Sequence, residues 1–565
     1  MRPHLISAQT GRPDPIQTAK DLLRAGRQEE GERTLRQLLD RDGGNPEALG
    51  LLALLEVQRR HTKKAKQLWE QALANPTPAW IYLRNLFNLL SVVLREGARA
   101  EAAKYASRPV PQWPEQRIPN PEERQMLPAL ADMLADLGRI DAAADLLTSA
   151  IGHLAQDGVL HHALGKLQLA RGDLGAAWQA LQQAEQRLRP RVSFPLLTDL
   201  CLCAMERGDQ AAVRAIHATL ATASPVYVSP AQTGQRANIL IFNKVKFADI
   251  DSERALHFGG NFPGQLSTHL AAEYRFMSVF AEEAAGRAAR EQLPPPALIL
   301  NNIAGAEAMA ARGSQQDLVQ FAASFGVPVI NHPDKIAQSG RDENAARLAG
   351  LANLLVPRTC RFDKAGKTGS ELAAAIEAQF AYPLIARTLE LQQGLGMHRI
   401  DDRAQLLDAL ATRLPEQFFV TEFIDSRGPD GFYRKIRAAV VGDHIGVMRA
   451  DWDTFWMVHG RKSEERVAFY RSNRHLLAQE DRLCADPDRE LGAGVMATLH
   501  AIRERIPLDI FGIDFDVLAD GRLVFYEANA SMSLFTAAAP DIRSPDHAHQ
   551  RTLAAMRSYI DGLLK

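Results

Sequence analysis

One local pattern recurs through the first part of the chain at a nearly fixed interval, and that interval constrains the fold more than any single residue does. Gly138-Arg-Ile-Asp-Ala142-Ala143, Gly172-Asp-Leu-Gly-Ala176-Ala177 and Gly208-Asp-Gln-Ala211-Ala212 share it, with glycines 34 and 36 residues apart. Weaker copies precede them at Gly26 to Gly31, His61 to Ala65 and Gly97 to Ala102, with gaps of 35, 36 and 41. Apolar residues between the copies fall at helical spacing, as in Leu134, Leu137, Leu146, Leu147 and Ala150, and no segment alternates like a strand. The pattern reads as a helix, a tight turn at the glycine, and a second helix whose small alanines allow close approach. One such hairpin cannot bury its own face, so the copies must stack. The longest gap fits the insertion from Arg108 to Pro119, whose prolines keep it out of helix.

An array of about six such units resembles the tetratricopeptide repeats (TPR) and implies an all-α solenoid over residues 16–224. Solenoids of this kind present a concave face to a peptide or protein. A dimerisation or packing scaffold is the other reading, and the residues leave both open.

At 565 residues the chain has room for about three or four domain-sized units. Its 66 Lys+Arg against 67 Asp+Glu exclude a global polyanion-binding field but allow a local basic groove, so no nucleic-acid partner is expected. No stretch reaches the roughly 18 to 20 apolar residues of a membrane helix, and the first residues lack the apolar core of a signal peptide. The expectation is a cytoplasmic protein without a membrane partner. Four cysteines, Cys201, Cys203, Cys360 and Cys484, make neither a disulfide framework nor a zinc site and read as buried thiols.

After Ser224-Pro225 the texture changes. Short apolar runs, Ala237 to Phe242, Ala297 to Asn301 and Val327 to Ile330, alternate with helical stretches, which predicts a parallel α/β region over residues 236–340. Over 341–565 strands pair in sequence, as in Arg437 to Val441 with Ile445 to Arg449 across Gly442-Asp443, and the region reads as α+β.

The chemistry concentrates in a second hairpin, Phe511 to Val517 and Leu523 to Asn529, joined at Asp520-Gly521. Asp514, Glu527 and Asn529 stand there where apolar residues would be expected, and the last two project from one face of their strand. Three hard oxygen donors suit Mg2+ or Mn2+ with nucleotide phosphates completing the shell. A solvated hairpin edge is the competing reading of the hairpin alone.

The neighbouring residues, in order, resemble the ATP-grasp superfamily of carboxylate-amine ligases over about 340 to 535, most closely the ribosomal-protein glutamate ligases and more distantly the D-alanyl-D-alanine ligases. Tyr382-Pro-Leu-Ile-Ala-Arg387 is similar to the strand carrying a phosphate-contacting cation. Glu390-Leu-Gln-Gln393-Gly394-Leu-Gly396 resembles the glycine loop over the phosphates, and Phe419-Val-Thr-Glu422-Phe423-Ile424 the linker that holds adenine and ribose. Lys435-Ile-Arg437 with Ile445 to Arg449, then Phe469-Tyr-Arg471-Ser-Asn473, resemble the segments that bring arginines to the γ-phosphate and the acceptor.

The resemblance implies an ATP-grasp fold with Asp514, Glu527 and Asn529 as metal ligands. Arg341, Arg387, Gln393, Gly394, Gly396, Glu422, Phe423 and Ile424 are implied to bind ATP, and Arg437, Arg449, Arg471 and Asn473 to serve catalysis. Arginine stands at 387 and 341 where the family usually has lysine, and Met532-Ser533-Leu534 replaces a common Pro-Gly. The implied activity is an ATP- and Mg2+-dependent ligase that activates a carboxylate as an acylphosphate for attack by an amino acid or small amine, with the repeats recruiting a peptide or protein. A ligase of small metabolites whose repeats serve assembly as a homodimer, a nucleotide-responsive scaffold, and a kinase that stops at phosphoryl transfer remain alternatives. Asp451-Trp-Asp453 and His459 are expected to touch substrate.

Overall fold

A computed structural model of the chain describes residues 14–114, 117–189, 193–245, 253–258, 262–303, 315–389, 396–458, 463–535 and 546–565. The chain divides into two compact units, Met1–Ile216 and His217–Lys565. Among the described residues no helix is long and apolar enough to cross a membrane, and the cysteines are thiols, Cys201 and Cys203 buried and Cys360 and Cys484 half-buried.

Residues 15–223, whose last helix crosses the boundary between the two units, form a TPR-like stack of helical hairpins. They are α1 (Pro15–Arg24) with α2 (Gln28–Arg41), α3 (Pro46–Gln58) with α4 (Thr62–Ala74), α5 (Ala79–Arg95) with α6 (Arg99–Ala106), α7 (Pro121–Asp136) with α8 (Ile140–Ile151), α9 (Gly158–Ala170) with α10 (Leu174–Leu188), and α11 (Phe194–Glu206) with α12 (Gln210–Ala223). One core runs through the middle hairpins and includes Trp69, Leu86, Leu130, Leu147 and Leu160. The insertion contributes Trp113, which is buried in the same core.

The repeated glycines close the first helix of their hairpins in a left-handed turn. Gly26, Gly97, Gly138, Gly172 and Gly208 have φ between 72° and 79°. The next amide reaches back five positions, as from Arg139 N–H to the Leu134 carbonyl at 2.8 Å and from Asp209 N–H to the Ala204 carbonyl at 2.9 Å. This is the Schellman cap, and glycine suits it because a Cβ is penalised at positive φ. In the second hairpin Arg60 holds that position with φ 66° and makes the same bond pattern, His61 N–H to the Glu56 carbonyl at 2.8 Å. The repeat is therefore weak there in sequence but complete in backbone geometry.

The second unit holds three sheets. The first has strand order β1-β3-β2-β4-β5, from β1 (Val226–Val228), β2 (Ala237–Asn243), β3 (Tyr274–Phe280), β4 (Leu298–Asn301) and β5 (Val329–Ile330). All its pairs are parallel except β1 with β3. The third has order β12-β11-β13-β14-β6, with β6 (Leu354–Leu355), β11 (Tyr433–Val441), β12 (His444–Asp453), β13 (Ile510–Val517) and β14 (Leu523–Asn529). These two sheets share one core, in which Leu240, Phe242 and Met277 meet Ile436, Phe511 and Phe515.

The second sheet, order β7-β10-β8-β9, is antiparallel, with β7 (Thr359–Asp363), β8 (Leu384–Thr388), β9 (Met397–Ile400) and β10 (Gln417–Glu422). It has a core of its own around Phe362, Leu372, Ile376, Leu384 and Phe418. The strands expected near Ala237, Leu298 and Val329 form, and so do both hairpins; β3 was not anticipated.

His257 lies fully buried beside the first sheet, stacked on Phe280 at 4.4 Å and in contact with the Ser278 hydroxyl at 3.1 Å and the Ser224 hydroxyl at 3.1 Å.

Two outcomes follow from these placements. Arg60→Gly should stabilise the chain and Gly172→Ala should destabilise it, each by about 1 kcal/mol, as read from urea unfolding. Burial pushes the His257 pKa from its ordinary 6.5 down to about 4. The unfolded chain then binds a proton in that window that the folded chain does not, so the His257 contribution is complete above pH 6.5 and is lost progressively below it, by at most roughly 3 kcal/mol. The drop in urea midpoint from pH 7 to pH 5 should be smaller in His257→Asn than in the wild type.

Candidate active site

A single row of charged residues crosses four neighbouring strands of the third sheet. Arg449 on β12 stands opposite Arg437 on β11, Arg437 opposite Asp514 on β13, and Asp514 opposite Glu527 on β14. Like charges directly opposite each other in a sheet repel, so the two arginines and the two carboxylates are each unfavourable as pairs. Their alternation in blocks makes the row viable. The β11–β12 register shifts just after Arg437 and the β13–β14 register just after Asp514. Bulges of this kind re-aim side chains beside functional sites.

Asp514 is 2% exposed and accepts two parallel bonds from Arg437, from Nε and Nη2, both at 2.8 Å. Lys435 Nζ lies 3.5 Å from the same carboxylate. Burial pushes the Asp514 pKa up, but Lys435 and Arg437 outweigh it and bring it down to about 2. Burial acts the same way on Glu527, and there the Arg341 guanidinium, helped by Arg387, overcomes both burial and the Asp514 charge to hold it below its ordinary value. Arg341, at the start of the helix Arg341–Leu348, is hydrogen-bonded to Glu527. Lys435 is itself lowered by burial, with Asp514 opposing.

A second buried carboxylate organises further cations. Asp451, 2% exposed, accepts from Arg449 Nε at 2.6 Å and from Arg466. Asn529 follows Glu527 by two residues and turns its amide oxygen to the backbone N–H of Ser531 at 2.8 Å.

These groups line a cavity of about 530 Å³. Arg341, Arg387, Lys435, Arg437, Arg449 and Arg466 face it against Glu422, Asp514 and Glu527, an excess of positive charge that favours a polyanion. At another wall, Glu422 ends β10 with Phe423 and Ile424 following. The Phe423 ring meets Trp456 edge-on at 6.1 Å and carries Arg399 4.5 Å above it. Two carboxylates opposite each other plus an amide oxygen form an all-oxygen donor set that fits Mg2+ or Mn2+, which take one or two carboxylates and keep positions for water and phosphate. Among the described residues no cluster of three His, Cys, Asp or Glu offers a denser metal site.

Of the residues singled out in the sequence, Arg341, Arg387, Glu422, Phe423, Ile424, Arg437, Arg449, Asp514, Glu527 and Asn529 all reach this cavity. Gly396 has φ 64° and accepts from Thr388 N–H at 3.3 Å; it stands beside Met397, which lines the cavity. Gln393, Gly394 and His459 lie outside the described residues.

Arg471 and Asn473, expected to serve catalysis, are not among the residues that line the cavity. The segment runs as the helix Ser463–Ser472, whose Tyr470 hydroxyl accepts from Trp452 N–H at 3.1 Å. Consecutive helical residues point about 100° apart, so Arg471 is turned outward and exposed. Asn473 instead bonds the Phe469 carbonyl at 2.9 Å, ahead of the next helix. The same helical period puts Arg466, four residues before Tyr470, on the inner face, a signal present in Ser463-Glu-Glu-Arg-Val-Ala-Phe-Tyr470 and passed over. Lys435 was also missed as a cavity cation. Asp451 reaches the site through Arg449 and Arg466, and Asp453 caps Phe455 N–H at 2.8 Å.

No protein-family model matches the sequence, and no curated protein does. Among solved structures the chain is similar to the VanG D-Ala:D-Ser ligase from Enterococcus faecalis, at 16% identity and TM-score 0.31 over 48% of this chain and 73% of that one. It is similar to a RimK domain ATP-grasp protein from Sphaerobacter thermophilus, at 15% and 0.31 over 58% and 98%. It is also similar to PilF from Pseudomonas aeruginosa, at 17% and 0.26 over 37% and 90%. At these TM-scores the likenesses carry no argument about activity, and the chemistry rests on the residues of the site.

Arg437→Ala would leave the Asp514 carboxylate buried without its two guanidinium hydrogen bonds, facing Lys435 and Arg449 alone of the cations that lower it. It should lower the stability of the full chain by about 3 kcal/mol in urea unfolding, with Arg437→Lys intermediate because the charge remains and the fork is lost.

Proposed function

We propose that the chain is an ATP- and Mg2+-dependent, ADP-forming ligase that joins a carboxylate to an amine through an acylphosphate, and that the TPR-like array recruits the peptide or protein bearing one of the two groups. The observation that carries this reading is the row Arg449, Arg437, Asp514, Glu527, opening on a cavity where six cations face three carboxylates. A site with excess positive charge and a paired-carboxylate edge suits a nucleoside triphosphate. The Glu422 to Ile424 wall, with an acid and an aromatic ring, suits its ribose and base.

In the first step a substrate carboxylate oxygen attacks the γ-phosphorus. The bond from that phosphorus to the β,γ-bridging oxygen breaks, and ADP leaves. Arg437, Arg449 and Arg466 stand where guanidinium forks can hold the transferring phosphoryl oxygens, and Asp451 fixes two of the three in place. In the second step the amine attacks the acyl carbon and its bond to the phosphate oxygen breaks. Inorganic phosphate departs, and the proton shed by nitrogen passes to phosphate or water. Mg2+, held by Asp514, Glu527 and Asn529, would supply neutralisation of phosphate charge when bound.

The full chain should release ADP with a suitable acceptor, and Asp514→Ala or Glu527→Ala should lower that rate by about 100-fold or more. Hydroxylamine should trap the activated acyl group. Tight ATP binding with no ADP release on any acceptor would sink the reading. The recruitment half is separate: a ligase unit lacking the repeats should lose efficiency on the peptide substrate, and undiminished efficiency would remove that half alone.

A further inference from the structure

A chain of uncharged hydrogen bonds runs through the interior of the second unit and ends at Asn529. Asn243, the last residue of β2, donates through Nδ2 to the His257 carbonyl and, at 3.5 Å, to the Ser278 hydroxyl. Its own oxygen accepts from Asn302 Nδ2 at 2.8 Å. The Asn302 oxygen accepts from the Ser531 hydroxyl at 2.7 Å, across 229 residues of sequence. The Ser531 backbone N–H donates to Asn529 Oδ1 at 2.8 Å. Asn243, Ser278, Asn302 and Ser531 are each 4% exposed or less.

Groups buried this deeply cost about 1–3 kcal/mol each when a partner is missing, so such a chain persists only when every link is made. Its direction is also fixed. An N–H at Ser531 requires oxygen, not NH2, on the facing side of Asn529. A carbonyl oxygen has two lone pairs, so one is spent on Ser531 and the other is left for a cation beside Glu527. Asn302 follows β4, at the carboxyl ends of the parallel strands β2 and β4. The strand order of the first sheet reverses at this point, since β3 lies on one side of β2 and β4 on the other.

We propose that Asn302 and Ser531 are positioning residues for the Asn529 amide oxygen, so that the first sheet sets the geometry of the metal site on the third. The proposal rests on the reading of Asp514, Glu527 and Asn529 as metal ligands. The neighbouring Asn301 provides the contrast. It turns to the Asn331 carbonyl at 2.9 Å, and Asn331 in turn accepts from Asp509 N–H at 2.8 Å ahead of β13. Asn331 therefore holds the same two sheets together without touching Asn529.

The test titrates Mn2+ into the full chain saturated with a non-hydrolysable ATP analogue, reading free Mn2+ by electron paramagnetic resonance. Asn302→Ala and Ser531→Ala should each weaken Mn2+ binding about tenfold, the usual scale for a residue that orients a ligand. The double variant should be no weaker than the worse single one, and Ser531→Thr, which keeps the hydroxyl, should bind more tightly than Ser531→Ala. Asn331→Ala should lower thermal stability and leave Mn2+ affinity unchanged. Without metal or nucleotide, amide exchange across residues 523–535 should quicken in Asn302→Ala. Loss of Mn2+ binding in Asn529→Ala with wild-type affinity in Asn302→Ala overturns the positioning role and leaves the metal site standing. Wild-type affinity in Asn529→Ala and Glu527→Gln overturns both.

Discussion

Two carboxylates placed opposite each other in a buried antiparallel ladder are the constraint on which the second unit is built. Asp514 and Glu527 cannot both stay ionised there without cations close by, and the chain supplies them from separate directions: Arg437 and Lys435 from the next strand, and Arg341 from the first turn of a helix. Every one of those cations is itself desolvated to some degree, so each partner stabilises the other's charge. The arrangement leaves a concentrated field at the surface of one cavity, created by the folding of residues whose charges nearly cancel over the whole sequence.

Much of this was legible in the sequence because it rests on local rules. The interval of the glycines announced helical hairpins since a left-handed cap is best filled by glycine, and the spacing of Glu527 and Asn529 announced a shared face because strands alternate. What escaped had other causes. The second hairpin cap is Arg60, which carries no compositional mark. Arg466 was passed over and Arg471 preferred because the segment was read by resemblance to a motif rather than by its helical period. The Asn302 to Ser531 link joins residues 229 apart, and no pattern within either segment contains it.

The first and third sheets share apolar residues and are also tied by directional bonds. Asn331 alone bonds the backbone of Asp509 and Ile510 through both ends of its amide. Packing fixes how closely two sheets approach, whereas an amide with all its bonds made fixes their sliding and rotation. Such a joint suits a site whose ligands and their supports come from different sheets.

The second sheet is built otherwise. Its core closes on itself, and it brings Arg387, Glu422 and their neighbours to the cavity without adding side chains to the apolar core beneath the third sheet. An ion pair of Arg361 on β7 with Asp342, at 3.7 Å, ties this sheet to the helix that carries Arg341. Attractions of that kind fade with ionic strength, over a screening length of about 8 Å at physiological salt. A multiply charged occupant lying across both walls would act as mortar between them, adding to what this ion pair supplies.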